Sequence, residues 1–513
     1  MSDILKKIIV ISSLLFFSLL ILINFFVFFK GLMFLYIIPY IIFIPIIYIL
    51  NMYISLDTKY FAFILFTLAF VSKAVVVFLF DTPPSSDFEW FYKAAIKASD
   101  GDFSFTNNGY FNVWAYQTGI VLHYAAIIKI FGIGLLPLKI TNCLFMAGIN
   151  TLIFLISRSM VNEKTSRFVS LIYLIYPAPY FLASVLTNQH ISDFFLYAGV
   201  YLFMIKPLKP FLNIFIAAFL LALGNAMRPQ GIAMIASFII FGLLDPSTEK
   251  SIFKDRSFLS IILTAVLYFF IGQCFSQIIR VSGVNENGLK NMFPQYKLVV
   301  GLNYDTKGEY STEDTETLMS ISDKTARENK SIEIIKSRLS DPYKLLKLIL
   351  YKQKIMWGDL DSTIGWSFNY LEKSGVNIIG KQISYSTFRT TAQKLEKSLY
   401  LLIFILAFIG IYSQLNKETY DKNVMLFTLL IMTNFAVYCF IEIQARYRDF
   451  AMIAMFIVAA KGFEFIRTRL LPAAGRTRTR FPHPLKFAHA GRVGTNKVQI
   501  SIERIRTLFN RNR

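Results

Sequence analysis

The chain has 513 residues, of which 55% are hydrophobic and 16% aromatic, with 52 Phe and a charged fraction of only 17%. Several small soluble domains could not hide that much apolar surface, and disorder is excluded because the chain is too apolar and too weakly charged. The formal net charge of +21 would indicate nucleic acid on a soluble protein; on a membrane protein it reports which loops face the cytosol, and no nucleic-acid partner is expected.

Apolar runs of about 20 residues cross a bilayer as helices. The first is 9–29, which is too long and lacks the small-residue cleavage site of a removable signal peptide. Runs 31–53 and 60–80 follow, and Lys6 and Lys7 place the N-terminus in the cytosol. Residues 81–113 are then outside, with Asp81, Asp87, Glu89, Asp100 and Asp102 against Lys93 and Lys97. The next two apolar runs, 114–134 and 135–156, cannot both cross. The loop after them carries Arg158, Lys164 and Arg167 and reads as cytosolic. Segment 114–131 holds Tyr116, Gln117, His123, Tyr124 and Lys129, so it is the one expected to lie on the outer surface.

The remaining spans alternate at 168–185, 191–205, 211–226, 231–244 and 258–279, and after a long outer segment at 399–412, 424–441 and 450–465. The expectation is an all-α polytopic membrane protein of about twelve transmembrane helices with both ends in the cytosol. Its divisions are two N-terminal spans (1–59), a seven-span module (60–280) whose first outer loop is 81–134, an extracytoplasmic, mainly helical domain (281–396), three C-terminal spans (397–466) and a basic cytosolic tail (467–513). Residues 461–513 hold 13 Lys or Arg against two Glu, a composition that suits anionic lipid. Within the outer domain, Asp341-Pro342 reads as a helix start, and the basic, amphipathic run 343–357 either lies on the outer leaflet or packs on neighbouring loops. Cys143, Cys274 and Cys439 lie in apolar stretches without metal-ligand spacing.

Four outer turns bring polar groups to one membrane face. They hold Asp87 and Glu89, with Gln117 beyond them; Asn188, Gln189, His190 and Asp193; Arg228 and Gln230; and Glu442, Gln444, Arg446 and Arg448. Bland readings stand beside the functional ones: a solvated Glu89, a hydrogen-bonded His190, an interface anchor at Arg448. Arg228 is the hardest to dismiss. It sits between two apolar runs with no acid nearby in sequence, and a guanidinium so placed matches phosphate. Asp87 follows two prolines in a braced turn, and an acid held near arginines fits chemistry on a phosphate-linked substrate.

These residues resemble the GT-C glycosyltransferases, specifically the protein O-mannosyltransferase and aminoarabinose transferase group. The likeness rests on Ser86-Asp87, Tyr116-Gln117-Thr118-Gly119 followed by Ile130-Phe131-Gly132, the turn from Pro177 to Asp193, Arg228-Pro229-Gln230-Gly231, Trp357-Gly358-Asp359 and Gln444-Ala445-Arg446-Tyr447-Arg448. It implies a GT-C-type fold, with surface helices in the first outer loop, that moves a sugar from a polyprenyl-phosphate donor to an extracytoplasmic glycan, cell-wall polymer, lipid or protein, with inversion. On this resemblance Asp87 is the catalytic base, Arg228 and Arg446 bind the donor phosphate, and Asp193 is a second-loop acid. Glu89, Gln117, His190, Glu442 and Arg448 are substrate-binding candidates. A divalent metal ion would use Asp87, Asp193 and His190, and no nucleotide cofactor is needed. The place of action would be the outer face of a bacterial plasma membrane. Departures are Phe88 between Asp87 and Glu89, Thr118 where relatives carry Pro, and two added spans. A transporter or flippase of lipid-linked sugars is the alternative, and would place polar residues mid-span. A basic-tailed structural scaffold is the third.

Overall fold

A computed structural model describes residues 2–80, 82–244, 256–368, 375–378 and 381–469. Asp81, Lys250, Lys254 and all of the predicted tail beyond residue 469 lie outside the described residues. Met1–Thr468 form one compact unit.

Three long apolar helices come first: α1 (Ser2–Lys30), α2 (Phe34–Tyr53) and α3 (Thr58–Leu79). The first loop carries α4 (Asp87–Ser99), α5 (Gly109–Val113) and α6 (Thr118–Phe131). The bundle continues with α7 (Leu135–Ser157), α8 (Glu163–Leu174), α9 (Pro177–Leu182), α10 (Gln189–Ile205), α11 (Pro210–Met227), α12 (Gly231–Leu244) and α13 (Arg256–Val281). The polar domain holds α14 (Gln295–Gly301), α15 (Thr312–Met319), α16 (Lys324–Leu339), α17 (Pro342–Gln353) and α18 (Ser362–Trp366). The closing helices are α19 (Tyr385–Tyr412), α20 (Lys422–Phe440) and α21 (Asp449–Arg469). Among the described residues the fold is all-α but for one unanticipated hairpin, in which β1 (Gly375–Ile378) pairs antiparallel with β2 (Lys381–Ser384).

Among the described residues, eight helices are long and apolar enough to cross a membrane: α1, α2, α3, α7, α11, α13, α19 and α20. The protein is therefore a multi-pass membrane protein, although the sequence predicts twelve spans. The difference falls on four segments. Predicted span 168–185 is broken into α8 and α9, because Pro177 lacks an N–H and Tyr176 before it is extended at φ −72°, ψ 123°. Helix α10 has 17 residues and α12 only 14. Helix α21 is long enough, but Lys461, Glu464, Arg467 and Arg469 crowd its second half. Its first half is enclosed, every residue from Phe450 to Ala460 being buried, so it meets protein rather than lipid.

The Asp341 start is as predicted: its carboxylate accepts a hydrogen bond from the Lys344 backbone N–H at 3.0 Å, opening α17.

Two glycines set the spacing around the loops. A Cβ on Gly119 would lie 2.1 Å from the Ala226 carbonyl oxygen, so only glycine lets α6 lie on the end of α11. A Cβ on Gly301 would lie 2.2 Å from the Ile441 carbonyl carbon, where α14 meets the α20–α21 turn. Gly119→Ala is expected to cost about 1–3 kcal/mol by forced displacement, read as a lowered melting temperature of the purified protein.

Candidate active site

One cavity of about 670 Å³ collects the ends of these elements. Its wall is built from the N-terminus of α4, the α5–α6 region, the start of α10, the α11–α12 turn, α14, α18 and the α20–α21 turn. Six of the sequence candidates, Asp87, Glu89, Gln117, Arg228, Glu442 and Arg446, line it together.

Asp87 is the first residue of α4. Ser86 before it has φ 54°, a left-handed conformation that glycine favours and serine rarely adopts. Such strain is kept only where the surroundings enforce it, and here it aims the carboxylate into the cavity wall. Burial raises the Asp87 pKa above the usual carboxylate value, while Arg446, Lys297 and a hydrogen bond from the Tyr110 hydroxyl oppose that shift. Glu89 also borders the cavity, but its carboxylate pairs with Lys93 at 2.5 Å on the exposed side of α4.

Arg446 sits in an aromatic cage, its guanidinium 4.9 Å from the Phe88 ring, 5.2 Å from Trp366 and 5.3 Å from Tyr447. Its Nε donates to the Gln444 side-chain oxygen at 2.6 Å, and Gln189 Nε2 donates to its backbone carbonyl at 3.0 Å. Among the described residues the two terminal nitrogens of Arg446 make no hydrogen bond, which leaves its fork for a ligand. Arg228 is held differently. Nη1 donates to Asn188 Oδ1 at 3.0 Å, and its guanidinium lies 4.9 Å from the Tyr447 ring. Asn188 is fixed in turn by donating to the Met227 carbonyl at 2.9 Å. Gln117 accepts a second, longer bond from Asn188 at 3.3 Å.

Asp193 does not line the cavity. It is fully buried behind it, and Gln230, with its amide oriented to satisfy both neighbours, donates to Asp193 Oδ1 and accepts from Arg228 Nε, each at 3.1 Å. Asp193 therefore reaches the site through Gln230 and Arg228. His190 is a correction to its expected place: it is buried, and its Nε2 meets the Val185 carbonyl at 3.3 Å, because the first turn of α10 rotates it away from the cavity. Arg448 is a second correction. It is 1% exposed and points into the core. There it meets Asp361 at 3.1 Å, Glu396 at 3.4 Å and the Tyr400 ring at 4.5 Å. Asp87, Asp193 and His190 are not drawn together as a ligand set, and no group of three His, Cys, Asp or Glu able to hold a metal ion occurs among the described residues.

Lys297 is the functional candidate that the sequence reading missed. It comes from α14 into the cavity and forms an ion pair with Glu442. Burial works against its charge, but the Glu442 carboxylate holds its pKa above the ordinary lysine value. Tyr110, Trp114 and Trp366 were missed as well, and with Tyr447 they give the cavity flat aromatic walls.

No family model matches the chain, and neither does any curated protein. Two solved structures share its outline at a distance. One is the archaeal oligosaccharyltransferase AglB from Archaeoglobus fulgidus, in complex with an inhibitory peptide and a dolichol-phosphate. The overlap has a TM-score of 0.45 and 11% identity, and it covers 88% of this chain. The chain spans about half of AglB, 55% of its length. The other is ArnT from Cupriavidus metallidurans bound to undecaprenyl phosphate, at a TM-score of 0.35 and 11% identity, covering 81% of this chain and 78% of ArnT. The cavity residues, rather than these distant likenesses, carry the functional reading.

Proposed function

We propose that this chain is an integral-membrane glycosyltransferase of GT-C type, which moves a sugar from a polyprenyl-phosphate-linked donor to an acceptor hydroxyl on the extracytoplasmic side of a plasma membrane. The observation that carries the reading is the meeting of Asp87 with Arg446 and Arg228 in one aromatic-walled cavity at the ends of apolar helices. Asp87 takes the proton of the acceptor hydroxyl. The acceptor oxygen bonds to the anomeric carbon from the face opposite the lipid-linked phosphate, the bond from that carbon to the phosphate oxygen breaks, and the phosphate leaves on its lipid. The free fork of Arg446 takes the charge that develops on the departing phosphate, and Arg228 adds a second, prepositioned cation. The aromatic walls suit the apolar faces of a sugar ring, and Asp193 serves as a positioning residue through Gln230. The donor sugar is a hexose or pentose.

Binding of the donor is tested on the purified full chain by native mass spectrometry with added polyprenyl phosphate. The wild type is expected to retain it, and Arg446→Met to bind it about tenfold or more weakly, the loss of one charge-assisted pair. Equal retention by both proteins contradicts the assignment of Arg446.

The reading also fixes a pH dependence. Asp87 acts as a base only when ionised, so kcat/KM should rise with pH through a carboxylate pKa lifted by burial. Lys297→Met removes a cation that favours the ionised form and leaves Glu442 without its partner, so the acid limb should move to higher pH. A pH–rate profile that moves to lower pH contradicts this sign.

A further inference from the structure

The polar domain turns an unusual surface outward on α17. Leu348, Lys352 and Gln353 are buried against the rest of the chain. Lys352 fixes that side firmly, its ammonium donating to the carbonyls of Gly301 at 2.8 Å, Cys439 at 3.0 Å and Ile441 at 2.8 Å. The opposite side of the same helix is apolar and exposed: Tyr343 is 75% exposed and Leu346 58%, with Leu350 and Tyr351 also open. These positions recur at helical spacing and form one stripe. Lys344, Lys347 and Lys354 are exposed along or beside it, and none has an acidic partner among the described residues. At the far end of the helix the chain makes a π turn over Lys354–Gly358. That turn abuts α1 so closely that a Cβ on Gly358 would lie 2.6 Å from Ile23 Cγ2. Leu22 and Phe26 of α1, on either side of Ile23, are exposed as lipid-facing residues are.

We infer that the exposed stripe of α17 is a membrane-docking face that seats the polar domain on anionic lipid headgroups. Two independent observations meet here. The stripe joins, through the π turn, a helix that is itself long and apolar enough to span the membrane. Its lysines, which have no acidic partner among the described residues, complement negative headgroups, with their stems along the apolar boundary and their ammonium groups in the polar layer. A face that packed on a soluble partner would not need to continue into a lipid-facing span. The docking also bears on the cavity. Lys307 lies over the Tyr351 ring at 5.6 Å, and Tyr310, three residues on, lines the cavity. The rim of the cavity is thereby held at headgroup level. This inference does not rest on the proposed chemistry and stands or falls separately from it.

The test uses the full chain reconstituted in vesicles. Leu346→Cys, in a background from which Cys143, Cys274 and Cys439 are removed, carries a fluorescent label. Quenching is measured with lipids brominated in their acyl chains and with aqueous iodide. The expected result is strong quenching by brominated lipid and little by iodide in vesicles of phosphatidylglycerol with phosphatidylcholine. That lipid quenching should be lost in phosphatidylcholine alone, and also when Lys344→Gln, Lys347→Gln and Lys354→Gln are combined. Free access of iodide without lipid quenching overturns the inference. Lipid quenching that is indifferent to headgroup charge overturns it as well. Shielding from both quenchers, as a second copy or another protein covering the stripe would give, also overturns it.

Discussion

Asp87→Asn is expected to lower sugar transfer by roughly a hundred- to ten-thousand-fold, the range of a lost general base, while the protein inserts and unfolds as the wild type does. The substitution keeps the size of the side chain and its ability to hydrogen-bond with Tyr110, but it removes the lone pair that takes the acceptor proton. It also deprives Arg446 and Lys297 of a neighbouring negative charge, so donor binding should be unchanged or tighter. Transfer assays and thermal unfolding on the same preparation separate the two effects. Full activity in this variant would remove Asp87 from the mechanism.

Arg448→Met is expected to act on stability rather than on chemistry. The guanidinium is enclosed by Asp361, Glu396 and the Tyr400 ring, and it donates to the Met356 carbonyl at 3.2 Å. Removing the cation strands two buried carboxylates, a loss of about 3–5 kcal/mol in comparable cases. A marked fall in melting temperature of the detergent-solubilised protein is the expected result. Arg446→Met, two residues away, should leave the melting temperature nearly intact and weaken donor binding. If Arg448→Met instead unfolds as the wild type does and loses activity, then Arg448 belongs to the substrate site.

The contrast between these two arginines marks where sequence stops being informative. Both stand in one short turn, and their spacing gives no sign that Arg446 faces the cavity while Arg448 faces the core. The acids that claim Arg448, Asp361 and Glu396, lie 87 and 52 residues away along the chain, in α18's approach and in α19. The gathering of Asp87, Gln117, Arg228, Glu442 and Arg446 was legible because each is a polar residue at the end of an apolar run on the same predicted face. Lys297 was not, because it lies in a polar segment where a lysine carries no signal, and only the glycine-permitted approach of α14 to residue 441 brings it to Glu442. Four of the twelve predicted spans fall outside the set of long apolar helices for a related reason. Helix α21 is shielded by its neighbours, and α8 and α9 are separated at a proline, so hydropathy along the chain does not by itself distinguish a lipid-facing span from a core helix. The amphipathic helix after Asp341 was legible, and the structure adds which of its faces the protein leaves uncovered.

The central claim is bond transfer from a lipid-phosphate donor, and it is tested most directly with the purified full chain in vesicles, a polyprenyl-phosphate donor carrying a radiolabelled sugar, and an extract of cell-envelope acceptors. The release of free polyprenyl phosphate is followed together with the fate of the label. The account predicts that the wild type releases polyprenyl phosphate in step with transfer of the sugar, that the new linkage has inverted anomeric configuration, and that Asp87→Asn does neither. Movement of intact donor across the bilayer with no free polyprenyl phosphate formed would contradict it.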